Sequence, residues 1–170
     1  MKFKINSKKV RLALWFLIAL MLDLTLMNRI RIFGAKPMLT YSMLVSTAIL
    51  EDDFSFAMVT AFVVAVVCSA LFMQSFAFEV IFIILASATV FSAAKKIRAI
   101  PAFVVSALVS ALFVTVHILL GRMITSGFAA LYSIGNTVVA NEIYTFVAAM
   151  GIYVLLDKWV YRAEIQKFNF

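Results

Sequence analysis

Five apolar runs, each close to the length of a membrane crossing, constrain this chain more than any other feature of its sequence. They lie at about residues 10–27, 54–73, 76–94, 100–120 and 137–156. A helix rises 1.5 Å per residue, so ~20 apolar residues cross the ~30 Å hydrocarbon core of a bilayer. Within that core every backbone N–H and C=O must find its partner inside the protein, which leaves helix bundles and closed barrels as the only spanning folds. Barrel strands read as ~10-residue alternating segments, whereas these runs are long and continuous. Composition agrees: 65% of the 170 residues are hydrophobic, 14% are charged and the mean hydropathy is +1.09, against about 45–50% apolar in soluble domains. The expected fold is all-α, an integral membrane bundle forming one transmembrane domain over 1–170.

A sixth run, residues 38–50, covers only ~20 Å as a straight helix, so length alone does not say whether it crosses the membrane. Charge decides, because cytoplasmic loops carry the excess of Lys and Arg. With six spans and a cytoplasmic N-terminus, eleven cations fall inside: Lys2, Lys4, Lys8, Lys9, Arg11, Lys95, Lys96, Arg98, Lys158, Arg162 and Lys167. Four fall outside: Arg29, Arg31, Lys36 and Arg122. If the short run dips in and returns, the count becomes six inside and nine outside. Six spans with both termini cytoplasmic is therefore the expected topology, and it places Trp15 and Trp159 at the inner interface, where amphipathic rings anchor helices. Pro37 suits the first position of the short helix, where a missing N–H does no harm. A span this short needs a thinned membrane or protein neighbours around its ends, and it is expected to be sheltered by other helices.

The N-terminus, "MKFKINSKKVRLALWFLIALMLDLTLM", has the basic start and apolar core of a signal peptide without a small-residue cleavage pattern, and reads as an uncleaved first span. "QS" at 74–75 makes a hairpin of the third and fourth spans, and "KKIRAIP" joins the fourth to the fifth. Only Gly121–Asn136 leaves room for an outer interfacial turn. The net charge of +7 is explained by topogenic cations, and no basic patch interleaved with exposed aromatics points to nucleic acid. A lone cysteine, Cys68, builds neither an intramolecular disulfide nor a cysteine metal cluster. One histidine without H-E-x-x-H, G-x-S-x-G or a phosphate loop offers no acid, base or nucleophile to assign. Neither an enzyme nor a cofactor is expected.

Two groups of residues stand out within the spans. Ala57, Ala61, Ala65 and Ser69 recur every four residues on the third span, a small-residue stripe on which two helix backbones can approach closely, within the bundle or against another protein. Asp23, Glu79, His117 and Glu142 all fall within about two turns of the outer helix ends, on the same side as Arg122. Charges near the bilayer centre cost about 2.5–3.5 kcal/mol even on insertion scales, so their shared depth suggests an outward-facing polar network, a ligand cleft or a partner's seat. The plain alternative is that each side chain snorkels to the interface or pairs with a loop cation. "EDD" at 51–53 falls on the cytoplasmic side, where it can attract a basic partner, pair with "KKIR" or remain solvated.

The order of these features resembles the rod-shape-determining MreD family: a basic N-terminus, one span, an outer loop ending in "IFGAKPML", a short span and a small-residue third span. The family's loop reads like I-x-G-x-x-P-[DE]-L, which Ile32, Gly34, Pro37 and Leu39 match while Met38 replaces the acid. In the third span Ala57, Ala61, Phe62 and Ala65 keep the size pattern of the family's glycines and phenylalanine, and Ser69 stands where an Asp is expected. "NEIYTFVAAMGIYVLLDKW" is similar to the family's final span. The resemblance implies a non-enzymatic scaffold of the elongation machinery in the bacterial inner membrane. Its partners would be an MreC-like membrane protein and, directly or through it, the MreB filament and wall-synthesis enzymes. Another small six-span class is the substrate-binding S-component of energy-coupling-factor vitamin transporters. Its A-x-x-x-A docking signature is missing from the first span, where Leu17 follows Ala13.

Overall fold

The computed structural model describes residues 7–30, 37–72, 76–94, 96, 100–127 and 135–162. Among these, six helices of twelve or more residues make up the fold: α1 (Ser7–Leu24), α3 (Leu39–Leu50), α4 (Phe54–Phe72), α5 (Phe76–Ala94), α6 (Ala102–Ser126) and α7 (Gly135–Leu156). A single turn, α2 (Leu26–Arg29), prolongs α1 past Thr25, and a π-helical turn (Asp157–Tyr161) prolongs α7. Four segments, Phe54–Leu71, Phe76–Ala94, Ala102–Ser126 and Val138–Tyr161, are long and apolar enough to cross a membrane unaided. The remaining two long helices differ for separate reasons: α1 carries Lys8, Lys9, Arg11 and Asp23, and α3 has only 12 residues. The chain is a helical membrane bundle.

One boundary moves. The fifth apolar run was expected to end near Leu120, but α6 continues through Gly121 to Ser126 and stops at Gly127, whose φ is 71°. A left-handed residue is a common helix terminator, and glycine adopts it without steric penalty. Gly121 lies inside the helix, where an added Cβ would only touch the Phe78 ring at 3.8 Å.

The shortest helix lies at the centre. Every residue of α3 from Thr40 to Ala48 is buried, and the helix packs against α1, α4, α5, α6 and α7. Its Tyr41, Leu44 and Val45 form one core with Leu20, Ala61, Val64, Ala65, Ile83, Phe113 and Val114. Met43 joins a second core with Leu12, Ala19, Leu156 and Val160. Helices α1 and α3 run antiparallel, because residues at both ends of α3 meet opposite ends of α1. Leu39 and Thr40 meet Asp23 in the last turn of α1, and Glu51, directly after α3, meets Lys8 in the first. The short helix thus passes through the bundle instead of turning back. Arg11 Nη1 donates to the Trp159 carbonyl at 3.1 Å, so the first turns of α1 and the turn after α7 share one end. This basic end carries Lys8, Lys9, Arg11, Lys158 and Arg162, and Arg29 and Arg122 mark the distal end.

The three acids between α3 and α4 have separate surroundings. Glu51 is buried and bound to Lys8 and Tyr161, and Asp52 is exposed. Asp53 caps α4, its Oδ1 accepting from the Ser55 and Phe56 N–H groups at 2.9 and 3.3 Å, the usual use of Asp at a helix start. Of "KKIR", Lys96 is described with its side chain, and it is exposed.

Candidate functional site

Polar side chains from three helices converge on the distal end of α3. The first turn of any helix leaves backbone N–H groups without intrahelical partners and carries a partial positive charge. Here the carboxylate of Asp23, on α1, supplies the acceptors: Oδ1 receives the Leu39 N–H at 3.0 Å and Oδ2 the Thr40 N–H at 2.8 Å. The N-cap position itself is Met38, which makes no side-chain cap, so a neighbouring helix does the capping.

The next residue along, Tyr41, opens the second part of the site. Its hydroxyl donates to Glu79 Oε2 at 3.1 Å and lies 3.4 Å from His117 Nε2. Glu79 Oε1 is 2.8 Å from the same Nε2. Glu79 and His117 are 1% and 2% exposed, so their contact lies wholly inside the bundle. Aromatic rings wall the imidazole, with Tyr41 edge-on at 5.0 Å, Phe78 stacked at 5.6 Å and Phe82 tilted at 5.2 Å. The other imidazole nitrogen, Nδ1, is buried without a hydrogen-bond partner among the described residues. Intramembrane ionisable residues usually face a bundle interior and pair with one another. This trio does so, and in doing so fastens α3 to α5 and α6.

Two further contacts hold the rest of α3. At mid-length Ser46 Oγ and Ser106 Oγ are 2.9 Å apart, joining α3 to α6. At the basic end Lys8 Nζ reaches Glu51 Oε2 at 2.9 Å, and the Tyr161 hydroxyl donates to the same oxygen at 3.3 Å. The short helix is therefore clamped by a carboxylate at its start, a hydroxyl pair in its middle and an ion pair at its end.

Of the five residues grouped by depth in the sequence, the structure brings Glu79 and His117 together and sets Asp23 on the same helix's backbone. All three turn inward. Glu142 is half-buried on α7 and accepts from Thr115 Oγ1 of α6 at 2.7 Å, outside the trio. Arg122 is exposed on α6. The stripe of Ala57, Ala61, Ala65 and Ser69 is buried throughout. Ala61 and Ala65 lie in the core with Tyr41 and Ile83, and Ala57 lies with Ala48 and Phe91, so the chain's own α3 and α5 fill that face of α4. In the loop motif, Ile32 and Gly34 lie outside the described residues, Pro37 is half-buried, and Leu39 begins α3 against the second core.

Tyr41 was not singled out from the sequence, and Glu51 only as part of "EDD", without Lys8 or Tyr161 as its partners. A signal was present: "LTYSMLVSTAIL" holds Thr40, Tyr41, Ser42, Ser46 and Thr47, five hydroxyls in 12 residues, too many for a helix facing lipid all round. Among the described residues no three His, Cys, Asp or Glu side chains gather as a metal site. The fold and these contacts define a class, a helical membrane protein built around a buried short helix. No family model, curated protein or solved structure matches the chain.

Proposed function

We propose that this chain is a non-enzymatic scaffold of the bacterial cell-elongation machinery, of the MreD type, seated in the cytoplasmic membrane. It would hold an MreC-like partner and, directly or through it, the MreB filament and wall-synthesis enzymes, supporting sidewall peptidoglycan synthesis and cell shape. The observation that carries this reading is the use of the distal polar groups. Asp23, Glu79 and His117 are engaged in fastening α3. A carrier of small solutes needs such groups pointing into a cleft; a scaffold needs them to hold its helices in one arrangement. The loop matching the family pattern leads straight into the clamped helix, with Leu39 as both its last matching residue and the first residue of α3.

The test joins depletion of the chain in its own cells with affinity capture of the tagged full chain from solubilised membranes. The expected result is loss of rod shape and recovery of an MreC-like single-span protein. Normal shape after depletion together with no such protein recovered overturns the proposal. Tight retention of one small vitamin by the purified chain would replace it with the transporter S-component.

A further inference from the structure

Helices α1 and α4 both rest on α3 but leave a groove between them, with a volume of about 370 Å³. It runs from Lys9 and Phe56 at the basic end to Leu20, Cys68 and Thr40, the last in the first turn of α3. Its walls are apolar and open outward: Leu17, Val59 and Val63 are each at least half exposed. At its mouth Lys9 Nζ stands 4.9 Å over the centre of the Phe56 ring and makes no ion pair among the described residues. Its neighbour Lys8 is held by Glu51, so the two lysines differ in kind. Lys2, Lys4 and Arg11 add to the positive charge of the same segment.

We propose that this groove seats an acyl chain of an anionic phospholipid, with the phosphate at Lys9. Length selects the occupant. From Lys9 to Leu20 a helix rises about 17 Å, close to half of the ~30 Å hydrocarbon core, the depth that one leaflet's chains reach. A transmembrane helix of another protein would need a seat running the full core. Charge selects the headgroup, since juxtamembrane lysines attract the anionic lipids of the cytoplasmic leaflet. The phosphate gives Lys9 the counter-ion that none of the described residues supplies, and the Phe56 ring holds the ammonium over the groove.

Native mass spectrometry of the full chain, released from vesicles of equal phosphatidylglycerol and phosphatidylethanolamine, tests this. The wild type is expected to retain phosphatidylglycerol in preference. Lys9→Gln should lower that retention by about fivefold, the effect of one lysine near an anionic surface. Val63→Trp, which fills the groove from an exposed position, should lower retention of both lipids. Lys96→Gln removes an exposed cation away from the groove and should change nothing. Equal retention of the two lipids by the wild type, or unchanged phosphatidylglycerol in both Lys9→Gln and Val63→Trp, overturns the proposal. A protein helix cross-linked along the groove from Lys9 through Cys68 does so as well.

Discussion

Replacing Asp23 with Ala should loosen the bundle at the start of α3. The substitution leaves the Leu39 and Thr40 N–H groups facing a methyl group instead of a carboxylate. An unsatisfied buried donor costs roughly 1–3 kcal/mol, and part of the loss is offset because a buried charge disappears with Asp23. A net destabilisation of about 2–4 kcal/mol follows from those two terms, which at roughly 2–4 °C per kcal/mol for a chain of this size lowers Tm by about 4–16 °C. Asp23→Asn keeps one acceptor and should fall between Ala and wild type. The molecule carries its own reporter: Cys68 is its one cysteine and is 1% exposed, so a thiol-reactive fluorophore in detergent lights up only as the bundle opens. Arg122→Ala, at an exposed position of the same end, is the matched control and should melt within about 0.5 kcal/mol of wild type. If Asp23→Ala exposes Cys68 at the wild-type temperature, the carboxylate does not hold α3, and the account of how the short helix is kept in place fails.

The same thiol melt checks three more expectations. Glu79→Leu or His117→Leu alone strands a buried polar partner and should cost about 3–5 kcal/mol, while the double replacement should cost far less than the sum of the two; additive losses would show that the pair is not coupled. Ala61→Leu forces extra volume into a position with 0% exposure and should destabilise by about 1–3 kcal/mol, whereas Val59→Leu on the exposed face of the same helix should be silent. Lys8→Met removes the ammonium from Glu51 and leaves it the Tyr161 hydroxyl and the Asp52 N–H, and should cost about 1–3 kcal/mol, with a shift in the emission of Trp159; unchanged emission and melting would mean the basic-end clamp contributes nothing.

How much of this could be read from sequence depends on which physical term dominated each element. The apolar runs of α4 and α5 are governed by bilayer thickness, and length locates them. The end of α6 was misplaced because two glycines, Gly121 and Gly127, look alike in sequence. Only the second takes a positive φ, and that choice depends on the path of the following loop. Asp23, Glu79 and His117 were legible as a group because charge is rare at such depths. Their direction was not, since a residue near a helix end can snorkel outward or turn inward, and which it does depends on a partner from another helix. Tyr41 went unnoticed because it is an ordinary residue that becomes part of the site only when α5 and α6 arrive.

The shortness of α3 and its hydroxyls have one cause. A helix facing lipid must be about 20 residues long and apolar, because hydrocarbon is its solvent and no other group satisfies its ends. A helix whose solvent is the rest of the protein is released from both demands. It can be 12 residues long, provided that its first N–H groups meet an acceptor such as Asp23. It can carry Ser46, since Ser106 answers it at 2.9 Å. The exchange runs in the other direction too: because α3 is covered on every side, the apolar surface offered to the bilayer belongs to α1, α4, α5, α6 and α7. Their outward residues, Leu14, Val59, Ile81, Leu112 and Val147 among them, are each more than half exposed. The polar residues within the spans, Asp23, Ser46, Glu79 and His117 among them, thus mark the inside of this molecule, and its outward aliphatic residues form the surface on which lipid or a neighbouring protein must act.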